Sequence, residues 1–191
     1  MFRGIVESTD RTMVVCGVTG EFNKFGSGEM NLWLARISLD DGTLVSEMIF
    51  PGRNGTIANL GSDWIVVHDR FTSGIKSNFA ATRLTADFER TWTTPIPVSP
   101  MTAFHNRLLV TKDGRILVVG DAPTQVRFIE LDAEGQMLNI TRTPNFDPFS
   151  PRHFEIVDDM IVVALEDYED SKFTAGLAAF SVDSILKNGV Q

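Results

Sequence analysis

Met13-Val14-Val15-Cys16-Gly17, then a long polar loop, then Leu32-Trp33-Leu34-Ala35-Arg36-Ile37-Ser38-Leu39-Asp40-Asp41-Gly42 and an apolar run from Leu44 to Phe50: this order decides the fold. A short apolar strand ending in Gly, a loop, and a strand-turn-strand form one unit. The unit returns as Trp64 to Val67 with Phe79 to Leu84, as Ile116 to Gly120 with Val126 to Asp132 and Met137 to Ile140, and as Met160 to Ala164 with Leu177 to Asp183. Aligned on the paired valines, Val15, Val67, Val119 and Val163 stand 52, 52 and 44 residues apart. Strand-only repeats of this period predict propeller blades.

Ahead of each valine strand lies a further apolar segment, Gly4 to Val6, Thr56 to Asn59, Leu108 to Thr111 and Phe154 to Val157. Each is joined to the valine strand by a tight polar turn such as Ser8-Thr9-Asp10-Arg11 or Lys112-Asp113-Gly114. Residues of this kind stabilise turn backbone, so each repeat reads as a four-stranded meander. Pro51, Pro95, Pro97, Pro100, Pro144, Pro148 and Pro151 mark crossings between repeats rather than strand interiors. The mixed pattern of Leu32, Leu34, Arg36 and Ser38 against Trp33, Ala35, Ile37 and Leu39 fits a strand covered on both faces. The end differs: Ser181 to Lys187 predicts a short helix where an outer strand would stand.

The expected fold is therefore all-β, a β-propeller or a segment of one, with about four four-stranded antiparallel blades and the last incomplete. A β-sandwich is the alternative. The chain reads as a single β-repeat domain with repeats over roughly 1–51, 52–98, 99–146 and 147–191. A missing outer strand leaves an open edge, which is a template for association, so a homo-oligomer or a longer parent chain is expected to complete it.

The stretch ending Leu39-Asp40-Asp41-Gly42 resembles the repeats of uncharacterised bacterial β-propellers, whose third strand ends in Leu-Asp-x-x-Gly. Leu131-Asp132-Ala133-Glu134-Gly135 matches it, Leu84-Thr85-Ala86-Asp87 lacks the Gly, and Val182-Asp183 drifts. The resemblance covers essentially the whole chain and implies architecture, not chemistry.

Composition bounds the function. At 191 residues and 43% hydrophobic content the chain can bury a core without disulfides. Its apolar runs fall far below the roughly 20 residues that cross a bilayer. No signal-peptide pattern opens it, which leaves the compartment unassigned. A net charge of −8 opposes phosphate neutralisation, so neither nucleic acid nor membrane is an expected partner. Cys16, the one cysteine, ends an apolar strand and reads as a buried inert thiol.

Candidate sites cluster at one rim. His68 ends the second strand of repeat two, while His105 and His153 precede the first strands of repeats three and four. Three imidazoles can hold a transition metal, although their spacing matches no metal motif. Arg53, Arg107 and Arg152 lie near the same boundaries and suit an anionic ligand. Glu166, Asp167 and Asp170 concentrate oxygen ligands in an expected loop, without the order of an EF-hand. No nucleophile-base motif and no cofactor motif is present. The function expected is a non-catalytic scaffold for a small molecule or a protein, with a carbohydrate-active propeller enzyme as the alternative.

Overall fold

The computed structural model describes residues 2–8, 10–20, 30–70, 78–96, 107–122, 125–143, 150–158, 160–169 and 172–187. They form four successive antiparallel meanders in four separate sheets. Blade 1 contains β1 (Phe2–Glu7), β2 (Thr12–Gly20), β3 (Met30–Ser38) and β4 (Leu44–Pro51). Blade 2 contains β5 (Arg53–Leu60), β6 (Asp63–Arg70), β7 (Asn78–Leu84) and β8 (Arg90–Ile96). Blade 3 contains β9 (Arg107–Val110), β10 (Ile116–Ala122), β11 (Gln125–Leu131) and β12 (Met137–Arg142). Among the described residues blade 4 has three strands, β13 (Ser150–Val157), β14 (Met160–Glu169) and β15 (Lys172–Ser181), followed by the helix α1 (Val182–Lys187). The incomplete last blade and its helix stand where the sequence puts them.

Three turns share one design. Thr85, Thr111 and Asp132 each donate their backbone N–H to the carbonyl four residues on, at 2.8, 2.9 and 3.0 Å. The third residue after each returns a hydrogen bond and takes a left-handed backbone: Phe88 at φ 65°, Gly114 at 82° and Gly135 at 81°. Glycine costs nothing there, whereas Phe88 carries a penalty of about 1 kcal/mol or more. Its ring is 5% exposed and packs in the core of blades 1 and 2, which holds it in place.

The fourth strands carry a second recurring device. Between Arg36 and Ile37, Arg83 and Leu84, and Glu130 and Leu131, the pairing with the outer strand skips one residue. The skipped residues are Val45, Thr91 and Leu138, all exposed. Each outer strand is thus bulged near its start, and two of the exposed apolar side chains are bulge residues.

Prolines depart from the expected pattern. Pro51, Pro95 and Pro151 stand inside β4, β8 and β13 rather than between strands. All three are edge strands, where one side of the backbone has no ladder to donate to, so a missing N–H is tolerated. Pro97, Pro100, Pro144 and Pro148 lie outside the described residues.

The chain divides into two compact units, Met1–Ser99 with blades 1 and 2, and Pro100–Gln191 with blades 3 and 4. In the first, β5 lies against β1, β2 and β3; in the second, β13 lies against β9, β10 and β11. Five consecutive residues are buried in β6 (Trp64 to His68) and five in β10 (Ile116 to Gly120). Adjacent strand residues take opposite faces, so these strands are covered on both, as stacked blades require and a one-sided sandwich sheet does not.

Register corrects the sequence alignment. The bulges make Ile37, Leu84 and Leu131 equivalent, and their partners Met13, Trp64 and Ile116 with them. Cys16, not Val15, is then the counterpart of Val67 and Val119. The irregularity at the start of the first strand likewise matches Ala164, not Val163, to Val67, because Thr56 pairs with Val67 and His153 with Ala164 just after it. All four valines are buried, at 0–4% exposure, yet Val15 and Val163 sit on the opposite face from Val67 and Val119. A slip of one residue changes the face.

With that correction the cores become regular. The core of the first unit joins Val14 and Cys16 of β2 to Trp64 and Val66 of β6. The core of the second joins Leu117 and Val119 of β10 to Ile161 and Val163 of β14. In equivalent positions, the face carrying Cys16 or Val119 meets the opposite face of the following blade. Blades therefore stack front to back in each unit. Gly55 in β5 shows how close the approach is: a Cβ there would come 2.5 Å from Leu32 Cδ1 and 2.8 Å from Cys16 Sγ.

Candidate functional site

Of the expected rim residues, Arg53, His68, Arg107, Arg152 and His153 belong to strands of blades 2, 3 and 4, at the end of each blade where the second strand finishes. His68 is placed inside the sheet, 4% exposed, with Nε2 3.0 Å from Thr82 Oγ1; Thr82 Oγ1 lies 3.1 Å from Thr93 Oγ1. The three side chains form a hydrogen-bonded chain across β6, β7 and β8, which satisfies groups that burial would otherwise penalise. Arg107 and His153 pair with Val119 and Ala164, so they occupy the same register row at the same end of their own blades. His105 and Asp170 lie outside the described residues, as do the side chains of Arg53, Arg107, Arg152, His153 and Asp167.

The acidic segment is not the expected loop. Glu166 and Asp167 belong to β14 and pair with Ala175 and Thr174 of β15. Adjacent positions on a strand belong to opposite faces, so Glu166 and Asp167 occupy positions on different faces of the sheet. Among the described residues no group of three His, Cys, Asp or Glu is placed to hold a metal ion.

The opposite end of the blades, where first strands turn into second, carries a polar pair that sequence reading missed. Just below the bulge, Arg36 donates from Nε to Thr12 Oγ1 at 3.1 Å, and its Nη2 is paired with Asp10. Arg83 meets Asp63 at 2.8 Å, and Arg115 meets Glu130 at 2.9 Å. Asp63 and Arg115 are equivalent, as are Arg83 and Glu130, so blades 2 and 3 hold the same cross-strand pair with its charges exchanged. Spacing alone hides this, because the partners are far apart in sequence and their signs differ between repeats.

In the second unit this end opens into a cleft of about 370 Å³. Its walls come from the β9–β10 turn, the β13–β14 turn and α1. Leu109, Val182 and Leu186 supply apolar surface, and Lys112, Asp113 and Asp183 supply polar groups. Thr111 Oγ1 donates to Asp113 Oδ1 at 2.6 Å, and Arg115 Nε donates to Oδ2 at 2.8 Å. The hydroxyl first and then the guanidinium hold the Asp113 carboxyl below the usual carboxylate range. Burial pulls Arg115 down, but Glu130 and Asp113 outweigh it and its pKa is raised. These groups are fixed in their charged forms.

At the other end of blade 3, Arg127 and Arg142 are directly paired across β11 and β12. Burial, and then the like charge of Arg142, lower the pKa of Arg127. No helix in the described residues is long and apolar enough to cross a membrane.

No protein-family model and no curated protein matches the sequence. Solved structures do match its fold. A protein of unknown function from Bacteroides caccae is 13% identical with a TM-score of 0.53, over 95% of this chain and 61% of that one. Pyrococcus horikoshii acylaminoacyl peptidase is 10% identical with a TM-score of 0.56, over 94% of this chain and 30% of that one. An α-L-arabinofuranosidase from Clostridium thermocellum is 9% identical with a TM-score of 0.53, over 92% and 66%. The fold is that of a β-propeller segment. The chain spans 30–66% of the length of these three proteins. One of the three is a peptidase, one an arabinofuranosidase and one of unknown function, so the likeness concerns architecture.

Proposed function

We propose that this chain is a non-catalytic propeller scaffold that binds a small, hydroxyl-rich ligand, a saccharide first among them, in the cleft of its second unit. The observation that carries the reading is the cleft's lining. Apolar Leu109, Val182 and Leu186 stand beside Lys112, Asp113 and Asp183, which suits a molecule with one apolar and one hydroxylated face. At about 370 Å³ the cleft lies within the ordinary size of ligand sites, at the small end. Asp113 is held ionised by Thr111 and Arg115, which makes it an acceptor for hydroxyl groups and unsuited to donate a proton.

A carbohydrate-active enzyme is the second reading, favoured by the fold likeness to the arabinofuranosidase. It needs two carboxyl groups about 5 to 10 Å apart across one pocket, one of them holding a proton near neutral pH. Titration calorimetry with mono- and disaccharides, run beside turnover of chromogenic glycosides, separates the two. Saturable saccharide binding that weakens in Lys112→Ala, without turnover, is the expected result. Turnover would establish the enzyme instead, and absence of both would end the saccharide reading.

A further inference from the structure

The exchanged pair of blade 3 puts a carboxylate behind the wall of the cleft. Blades 1 and 2 carry a cation, Arg36 and Arg83, on the third strand just below the bulge; blade 3 carries Glu130 there, 6% exposed and inside the sheet. Its cation is Arg115, on the second strand beside the β9–β10 turn. Arg115 is divided between two acids, Nη1 donating to Glu130 Oε1 at 2.9 Å and Nε to Asp113 Oδ2 at 2.8 Å. Asp113 and Arg115 line the cleft, and Glu130 does not.

The turn backbone braces the same groups. Thr111 Oγ1 accepts the Arg115 backbone N–H at 3.0 Å and donates to Asp113 Oδ1 at 2.6 Å. With two carboxylates on one guanidinium, the charge of Arg115 is neutralised within the wall. The charged groups in and behind the lining are then four carboxylates, Asp113, Asp158, Asp183 and Glu130, against two cations, Lys112 and Arg115. A hydroxyl entering the cleft meets oxygen acceptors, an ammonium is attracted, and a carboxylate is repelled.

We propose that Glu130 sets the selectivity of the cleft without touching its ligand: by neutralising Arg115 from inside the sheet, it excludes carboxylated saccharides and leaves the site to neutral and amine-bearing ones. This rests on the saccharide reading above and adds which saccharides qualify. Specificity is a difference of affinities, and a charge held near a site weakens the wrong ligand without any new contact to the right one. The hairpin itself does not need its acid on the third strand, because blade 2 closes the same pair in the reverse order, with Asp63 on the second strand and Arg83 on the third at 2.8 Å. The exchange in blade 3 decides instead what the neighbouring turn presents to the cleft.

Titration calorimetry of the full chain at low ionic strength, with glucose and galactose each run beside its 2-amino and its uronic acid form, tests this. The wild type should bind the uronic acids about tenfold more weakly than the parent sugars. Glu130→Gln keeps the volume and an acceptor for Arg115 but removes the charge, so that preference should narrow about fivefold, the effect of one charge acting through a largely aqueous cleft. Glu130→Asp keeps the charge and should keep the preference, even where its shorter side chain lowers every affinity. A merely structural role would move all the affinities together and leave their ratios as they were. Raising the ionic strength should narrow the preference of the wild type as well, which needs no variant, because screening weakens a charge that acts without contact. Uronic acids bound as tightly as their parent sugars overturn the proposal, as does a preference that neither Glu130→Gln nor salt alters. Binding of none of these sugars overturns the saccharide reading itself, and the selectivity with it.

Discussion

Phe88 sits where two other blades place glycine, with φ at 65° and only 5% of its surface exposed. Its backbone is penalised while its ring fills the core between Trp64, Leu84 and the residues of blade 1. Two terms of opposite sign therefore meet at one residue. Removing the ring costs about 3 to 5 kcal/mol, and replacing a side chain by glycine at positive φ returns roughly 1 kcal/mol. Phe88→Gly should thus be destabilised by about 3 kcal/mol and Phe88→Ala by about 4 kcal/mol, reversing the usual order of glycine and alanine. Urea unfolding of the two variants checks it; an alanine variant more stable than the glycine one would show that the backbone carries no strain there.

At the scale of the elements, the recurring pair below each bulge is the feature that the blades share and vary. Asp63 and Arg83 are 18% and 27% exposed at their side chains, partly shielded from water. Blade 3 shows that the site accepts the opposite arrangement, with Arg115 on the second strand and Glu130 on the third. Asp63→Arg alone leaves two guanidinium groups side by side and should cost about 1 to 2 kcal/mol. Adding Arg83→Glu should recover most of that loss, with a coupling of about 1 kcal/mol in a double-mutant cycle. Additive effects of the two substitutions would mean that the pair contributes nothing to the hairpin.

Across a whole unit, the same device becomes a tie between blades. Arg36, 14% exposed at its side chain, binds Thr12 and Asp10 in blade 1 and reaches the Ala86 carbonyl at 3.3 Å and Asp87 at 3.8 Å in the β7–β8 turn. The Thr12 hydroxyl first, with Ser8 and Arg36 behind it, lowers the Asp10 pKa from 3.8 to about 2. A carboxyl with a depressed folded-state pKa stabilises the fold above its unfolded value and loses that contribution as the pH falls through the folded one. The stability gap between the wild type and Asp10→Asn should therefore be constant above about pH 5 and close between roughly pH 4 and 2. Denaturant titrations at stepped pH measure it, and a gap that persists unchanged at pH 2 would remove the carboxylate from the account.

Much of this architecture is local and was legible in the chain. Turn residues such as Asp41-Gly42 and Glu134-Gly135, the short apolar runs, and the helix after Ser181 all act through near neighbours, so the four meanders and the closing helix follow from the sequence. Which face each residue takes did not follow. Val14, Val15 and Cys16 are all buried, so hydrophobicity in a strand covered on both sides carries no signal of face. The bulges at Val45, Thr91 and Leu138 decided it, and they exist only in the pairing between strands. The cleft was hidden for a related reason: Leu109, Asp113, Asp183 and Leu186 are spread over almost half the chain and meet only when α1 folds back beside the β9–β10 turn. Local chemistry set the strands and turns of this protein, and strand register together with long-range packing set its faces and its site, because those depend on partners that no single stretch of sequence contains.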